Sequence, residues 1–277
     1  MKRRRALAHI AATTFGVGLN AASRGAQAQT QPAAPVQVAA ASDLKFALTH
    51  IASQFQAETG QAVALRFGSS GQFARQIAYG LQVDLFMSAD ESYVFGLAKA
   101  GLTRAPAGHA GTLDAADLAR GTRYATGRIA LLIAPGADIR LDPNLNGLKA
   151  SWQHVTKFAL ANPEHAPYGR AARQALVALG LWEMVQPKLV LGENIAQATH
   201  FISSGAAQAG LTALSLALAP EVAQPERHMV LPAHLHDPLH QRMVLLKSAG
   251  AAADALFRFL QMPAARALMA RYGFSSP

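Results

Sequence analysis

Cysteine is missing from this chain of 277 residues, and charged and aromatic residues are few, at 15% and 7%. Without cysteine the protein cannot form a disulfide framework, a thiolate zinc site, an iron–sulfur cluster or a cysteine nucleophile. Beyond the N-terminal segment no stretch holds 18 uninterrupted apolar residues, so we predict no later membrane-spanning helix. Apolar residues make up 51% of the chain, which supports a packed core and argues against disorder. The length suits one large domain or two lobes of about 120 residues each.

The positive charge of the chain is concentrated at its N-terminus. The formal net charge is +9, from 25 Lys and Arg against 16 Asp and Glu. Residues 1–28 hold five of the basic residues and no acidic residue, so the remainder has 20 against 16, a net charge of +4. Those remaining basic residues are scattered and do not alternate with aromatic ones, so we expect no nucleic-acid partner.

The N-terminal segment has the three parts of a secretory signal peptide. A basic stretch at residues 2–5 precedes the mostly small and apolar Ala6–Ala22, and Ala26-Gln27-Ala28 forms an A-x-A cleavage site. We predict a signal peptide over residues 1–28, cleaved after Ala28, and hence a periplasmic protein in a bacterium with two membranes. The adjacent arginines leave Sec and twin-arginine export both open. A membrane anchor is the less favoured alternative, because the apolar stretch is interrupted and short of the ~20 residues that a span needs.

From Val36 onward, short apolar runs alternate with segments of helical periodicity, which predicts an α/β fold with mostly parallel sheets. The first series is a β-α-β-α-β unit with strands at Val36–Ala41, Ala62–Phe67 and Val83–Ser88. A long apolar strand follows at Arg128–Pro135. The second series has strands at Val155–Leu160, Lys188–Leu191 and Gln208–Leu214, with helices at about Tyr168–Leu179 and Asn194–Ser204. A strand at Met243–Lys247 and helices at Ala251–Gln261 and Ala264–Tyr272 complete the chain. Two such series predict two lobes.

Four junctions between a strand and the following helix carry residues suited to binding an anion, because ligands of open α/β sheets bind where helix N-termini present free N–H groups. These junctions are Ala41-Ser42-Asp43, Gly68-Ser69-Ser70-Gly71, residues 162–169 and residues 192–195. Each has a plainer interpretation as well: Ser42 and Asn194 could be ordinary N-caps, and the other two segments could be solvated or rigid loops. If the two series form facing lobes, the four junctions meet at the cleft between them. Neutral donors gathered in this way suit a small, fully ionised oxyanion.

At these junctions the sequence resembles the periplasmic molybdate-binding proteins, which are substrate-binding components of ABC importers. The matching stretches follow one another in order over nearly the whole chain after the signal segment. They are VAAASDLKFAL (38–48), RFGSSGQFARQIAYG (66–80), DLFMSADE (84–91), ANPEHAPYGRAARQAL (161–176), ENIAQA (193–198) and RYGF (271–274).

The resemblance implies a two-lobed periplasmic binding protein fold of type II, with a hinge and an inter-lobe cleft. In that family two hydroxyl side chains and two backbone amides hold a tetrahedral dianion. By position, the hydroxyls are those of Ser42 and Ser70, and the amides are those of Tyr168 and Ile195. The ligand implied is molybdate or tungstate, with no cofactor, no bound metal cation and no catalysis. The implied partner is an ABC transporter permease in the inner membrane, and we expect a monomer.

The sequence departs from the family at two positions. Some members have Asn directly after the first hydroxyl as a further donor, whereas this chain has Asp43. That residue either contributes its backbone N–H alone, turns away to cap the helix, or indicates a different ligand. Other members use a Tyr hydroxyl at the position where this chain has Ala213.

Lobe boundaries and two competing functions complete the expectations. We predict that lobe 1 comprises residues 36–122 and 248–277, and that lobe 2, with the hinge strands, comprises residues 123–247. A hydrolase is disfavoured because the Gly68–Gly71 segment lacks the G-x-S-x-G pattern. The alternative function is binding of a metal cation by the loop that carries His234, His236 and His240, since His suits zinc or copper.

Overall fold

The computed structural model describes residues 34–108, 114–222 and 225–276. The predicted signal peptide and its cleavage site after Ala28 lie outside the described residues. Among the residues within those ranges, none of the helices has the length and apolar character that crossing a membrane requires.

The chain alternates strands and helices as the sequence predicts. The strands are β1 Val36–Ala41, β2 Val63–Gly68, β3 Leu85–Ser88, β4 Thr103–Arg104, β5 Thr122–Gly127, β6 Ile129–Ile133, β7 Phe158–Ala161, β8 Leu189–Gly192, β9 Ala209–Ala213, β10 His228–Val230 and β11 Leu239–Leu246. The helices are α1 Lys45–Thr59, α2 Ser70–Ala78, α3 Glu91–Lys99, α4 Ala115–Leu118, α5 Asn146–Ala150, α6 Pro167–Ala178, α7 Trp182–Val185, α8 Ile195–Ser203, α9 Leu214–Ala217, α10 Ala251–Phe259 and α11 Pro263–Arg271.

The strands form two sheets. The first has the order β2-β1-β3-β11-β4, with β5 paired along β11, and the second has the order β10-β6-β9-β7-β8. In the first sheet β1 pairs in parallel with β2 and β3, and in the second β7 pairs in parallel with β8 and β9. The α/β class is therefore confirmed, but the sheets are mixed rather than mostly parallel as predicted, because β6 and β11 pair antiparallel with each of their neighbours.

The chain passes between the sheets next to Gly127. Strand β5 ends at that residue in the first sheet, and β6 begins at Ile129 in the second. Strand β11, which the sequence predicts only from Met243, begins at Leu239 and also pairs in the first sheet. The predicted lobe 2 thus contains two hinge strands whose hydrogen bonds lie in the first sheet. The lobe boundaries themselves stay a prediction.

Apolar side chains cover both faces of the first sheet. Along β1, Val38 and Ala40 pack in one hydrophobic cluster, whereas Ala39 between them packs in another. Such a strand, buried on both sides, is a continuous apolar run in the sequence. Helix α1 packs one face of this sheet through the residues that its periodicity predicts, among them Leu48, Ile51 and Phe55. It ends at Gly60, whose φ of 74° is the left-handed conformation expected of a C-cap glycine.

Candidate anion-binding site

The structure brings all five predicted ligand-binding residues to one small cavity. Ser42, Asp43 and Ser70 follow strands of the first sheet, and Tyr168 and Ile195 begin helices that follow strands of the second. The cavity is lined by Ala41, Ser42, Asp43, Gly68, Ser69, Ser70, Ala89, Ala166, Pro167, Tyr168 and Ile195. None of these lining residues is basic, so the polar groups of the cavity are neutral donors and one carboxyl group.

Ser42 begins a single 3-10 turn, Ser42–Leu44, directly after β1, and it is 2% exposed. Its hydroxyl does not cap this turn, so the interpretation of Ser42 as an ordinary N-cap is wrong. Instead Ser42 Oγ accepts a hydrogen bond of 3.3 Å from the N–H of Ala196, in the first turn of α8. Because the hydroxyl accepts this bond, its own hydrogen is left to donate to a ligand.

The two adjacent serines before α2 use their hydroxyls differently. Ser70 Oγ accepts from the N–H of Ala89 at 3.0 Å, which again leaves the hydroxyl hydrogen to donate. Ser69 Oγ donates to the carbonyl of His165 at 2.6 Å, and the N–H of Gly71 donates to the same carbonyl at 3.1 Å. Ser69 therefore ties the turn to the loop before α6, and Ser70 is the serine whose hydrogen is uncommitted.

Tyr168 and Ile195 lie in the first turns of α6 and α8, where backbone N–H groups have no acceptor four residues earlier. The partial positive charge of each helix start also favours an anion there. Pro167 occupies the first position of α6, one residue before the predicted start, where the fixed φ of proline suits a helix. Asn194 is the N-cap of α8, and its side chain accepts from the N–H of Gln197 at 3.1 Å. The plainer interpretation of Asn194 is thus confirmed, and its cap fixes the direction of the Ile195 N–H.

Asp43 lines the cavity, is 1% exposed, and belongs to a buried hydrogen-bond network. Its Oδ2 accepts from the phenol of Tyr168 at 2.9 Å and from Nε2 of Gln241 at 2.6 Å. Its Oδ1 is buried and has no hydrogen-bond partner among the described residues. Burial raises the pKa of Asp43 to about 6, although the hydrogen bonds from Gln241 and Tyr168 oppose this shift. The carboxylate does not cap the helix, which was one of the three expectations for it.

The sequence prediction missed three residues of this network: Gln241, Gly127 and the phenol of Tyr168. A Cβ atom on Gly127 would collide with the Tyr168 phenol and lie 2.8 Å from Gln241 Nε2, so glycine leaves the space that the network fills. Gln241 had one detectable signal. It lies between Leu239 and Met243 on the inward register of β11, and it is the polar residue on that buried face.

Two arginines near Tyr168 do not line the cavity. Arg170 forms an ion pair with Asp90 and donates to the Tyr93 phenol at 2.7 Å. Arg173 lies over the ring of Trp182, 5.1 Å from its centroid.

The histidine loop offers no cation site in the part of the chain that the structure describes. No group of three or more His, Asp or Glu residues there is placed to hold a metal ion. His236 Nδ1 lies 2.7 Å from the carbonyl of Asp237, and burial lowers the pKa of His236. His240 Nδ1 lies 3.4 Å from Thr126 Oγ1, in the first sheet. Metal-cation binding by His234, His236 and His240 is therefore not favoured.

Comparison with known proteins identifies the family of this chain. Residues 36–275 match the family model described as bacterial extracellular solute-binding protein. The molybdate-binding protein ModA of Rhodobacter capsulatus is 34% identical over 247 residues, which cover 88% of this chain and 90% of that protein. ModA of Azotobacter vinelandii is 35% identical, over 87% of this chain and 90% of that protein. The chain belongs to the ModA family of bacterial extracellular solute-binding proteins.

A solved member of the ModA family has the same fold. The periplasmic molybdate-binding protein of Azotobacter vinelandii superposes with a TM-score of 0.75 at 30% sequence identity, and the match covers 87% of this chain and 99% of that one. The expected two-lobed fold of the type II binding proteins is thereby confirmed. Against the ModA pattern stated above, the acidic side chain of Asp43 remains a departure, and the structure shows it bonded to a tyrosine and a glutamine.

Proposed function

We propose that this protein is a periplasmic solute-binding protein that captures molybdate, with tungstate as a close competitor, and delivers it to an ABC importer. It acts by binding and not as an enzyme, and the anion is its cargo rather than a cofactor. The observation that carries this proposal is the single cavity in which Ser42, Ser70, Tyr168 and Ile195 meet. The names of the ModA relatives support it.

The chemistry of the cavity favours an oxyanion with no hydrogen of its own. The two serine hydroxyls have uncommitted hydrogens, and the two helix starts supply N–H groups, so four donors surround a space without a basic side chain. Several hydrogen-bond donors of this kind can together stabilise a dianion that has lost its water, without a counter-ion. The protein groups would touch only the oxygens of the anion, so no residue serves as a metal ligand. Molybdate and tungstate have nearly the same size, whereas sulfate is smaller and would be held loosely.

The predicted export signal and the two-sheet fold support a role in transport. We propose cleavage after Ala28, a periplasmic location and a monomeric protein. Closure of the two lobes over the anion would create the form that docks on the permease in the inner membrane.

Thermal unfolding of the purified chain tests the function directly. A ligand that binds only the folded state adds about 4 kcal/mol of stability at a thousandfold excess over its Kd, which corresponds to a rise in Tm of about 10 °C for a domain of this size. We expect molybdate and tungstate to produce such a shift and sulfate to produce a smaller one.

Phosphate and zinc serve as the comparison ligands in the same experiment. Equal Tm values with and without molybdate would contradict the proposed function. A shift with zinc alone would instead favour the histidine loop.

A further inference from the structure

Asp43 is a buried acid in the wall of a site that suits a doubly negative ligand. It directly follows Ser42 in the chain and lines the same cavity as Ser42, Ser70 and Tyr168. The Ser215 hydroxyl donates to the backbone carbonyl of Asp43 at 2.8 Å, which holds the turn in place. An ionised carboxylate here would repel a dianion, because Asp43 is buried and solvent screens the repulsion of like charges poorly there.

The two oxygens of this carboxyl group have different surroundings. Oδ2 accepts from both the Tyr168 phenol and Gln241 Nε2, so its lone pairs are engaged. Oδ1 is buried and has no partner among the described residues. A proton on the carboxyl group therefore belongs on Oδ1, where it makes a hydroxyl donor that lacks an acceptor. An anion in the cavity would supply that acceptor, because Asp43 lines the cavity.

The hydrogen bonds that the Asp43 carboxyl group accepts offset only part of the effect of its burial, and among the described residues no unpaired cation faces it. The phenols of Tyr168 on α6 and Tyr124 on β5 face it, and burial together with the Asp43 charge raises the pKa of both, so they stay neutral. The nearest group of β11 is the uncharged amide of Gln241. Arg123 and Arg242, on β5 and β11, pair with Glu91, and Arg170 on α6 pairs with Asp90. The other charged or titratable groups on elements that contact this turn are exposed: Lys45, His50 and Glu58 of α1, Arg66 of β2, and His200 of α8.

From this arrangement, and resting on the proposed function, we propose that Asp43 binds the anion as a neutral acid whose Oδ1–H is a fifth donor. The protein then takes up a proton together with its ligand. The site also prefers oxyanions that carry no hydrogen, because a ligand such as hydrogen phosphate presents a donor to the Asp43 donor.

Proton uptake sets the direction of the pH dependence. The pKa of Asp43 in the free protein is about 6, so the carboxyl group is mostly neutral below that pH and mostly ionised above it. Bound dianion raises this pKa further. The affinity is therefore greatest below about pH 6 and falls by up to tenfold per pH unit as the pH rises above that value.

Calorimetric titration of the purified chain with sodium molybdate, at several values between about pH 5.5 and about pH 8, measures both effects. Repeating the titration near pH 7.5 in buffers of different ionisation enthalpy counts the protons taken up. We expect uptake approaching one proton per anion. Asp43→Asn places an amide N–H where the proposed Oδ1–H lies. The affinity of this variant for molybdate should therefore not change across this pH range. Asp114→Asn is the matched control, because Asp114 is exposed, does not line the cavity, and caps α4 as asparagine also would.

Each outcome decides the proposal. If the parent protein binds molybdate with the same affinity at every pH and takes up no proton, the role of Asp43 is wrong while the proposed function stands. If neither the parent nor Asp43→Asn binds molybdate at any pH, the proposed function itself fails. If hydrogen phosphate binds more tightly than molybdate and Asp43→Asn abolishes that binding, Asp43 is an ionised acceptor and the proposal is overturned. Should Asp43→Asn not fold, proton counting on the parent decides alone.

Discussion

The two walls of the cavity present hydrogen-bond donors of different kinds. The wall that follows the first sheet offers the hydroxyls of Ser42 and Ser70, which are side-chain groups. The wall that follows the second sheet offers the N–H groups of Tyr168 and Ile195, which belong to the backbone of helix starts. A side-chain donor can be deleted by one substitution, whereas a backbone donor can only be displaced. Single substitutions should therefore weaken binding more on the side-chain wall than on the backbone wall.

Ser70→Ala should have the largest effect on the side-chain wall. Deleting a hydroxyl that donates to a buried charged ligand costs about 1.5–3 kcal/mol, which weakens molybdate binding by roughly 10- to 100-fold. Calorimetric titration measures the change. Ser69→Ala is the neighbouring control and should weaken binding less, because the Ser69 hydroxyl donates to the His165 carbonyl. Equal losses in the two variants would mean that the tether to the loop, and not a contact with the anion, controls affinity.

Tyr168→Phe tests whether the backbone wall also depends on its side chain. The substitution keeps the N–H and removes the phenol that donates to Asp43 Oδ2. We expect a loss of about 1–2 kcal/mol in the free energy of unfolding and a loss of affinity of about threefold at low pH. Because the phenol lowers the pKa of Asp43, removing it should also move the fall in affinity to higher pH.

The exposed Tyr79, which is 91% accessible, provides the control for this experiment as Tyr79→Phe. Denaturant unfolding and titrations at several pH values give the two readouts. A loss of affinity as large as that of Ser70→Ala would show that the phenol, and not the N–H, is the main contact of Tyr168 with the anion.

Asn194→Ala should have the smallest effect of the three. It removes the cap of α8 and should cost about 1 kcal/mol of stability, with a loss of affinity of only a few fold, because the Ile195 N–H remains in place. Asn194→Ser retains a cap and should restore both values.

Ile195→Val should bind molybdate as tightly as the parent does, since the proposed donor is the backbone N–H, which the substitution keeps. A strong effect of Ile195→Val in the same titration would contradict the assignment of that donor.

Local signals carried most of the fold prediction. The apolar run of β1, the apolar face of α1 and the glycine that ends α1 are features of a few adjacent residues, and the structure matches them closely. Helix α3 was not predicted, although Asp90 before it is a good N-cap and accepts from the N–H of Ser92 at 2.8 Å. Strand β5 was also missed, because its sequence TRYATG is partly polar and gains its stability from pairing with the distant β11.

Local signals also carried the prediction of the candidate site. Ser42, Ser70, Tyr168 and Ile195 lie at junctions that can be recognised one at a time, and their meeting follows from the fold. The partners of Asp43 could not be found in this way, since Gln241 is 198 positions away in the chain. The alternation along β11 marks Gln241 as a buried polar residue, but its pairing with Asp43 leaves no local pattern, and only the packing of β11 against the turn reveals that pairing.

Gly127 has two roles: it lies where the backbone passes from the first sheet to the second, and it leaves room for the hydrogen-bond partners of Asp43. It is the last residue of β5 before the chain enters the second sheet, and its missing side chain makes room for the Tyr168 phenol and Gln241. Any substitution at Gly127 would place a Cβ atom against the Tyr168 phenol and Gln241, which are the two hydrogen-bond donors to Asp43. Attempts to redirect this scaffold toward a new anion should therefore leave Gly127 untouched and vary the two serine junctions, which lie elsewhere in the chain.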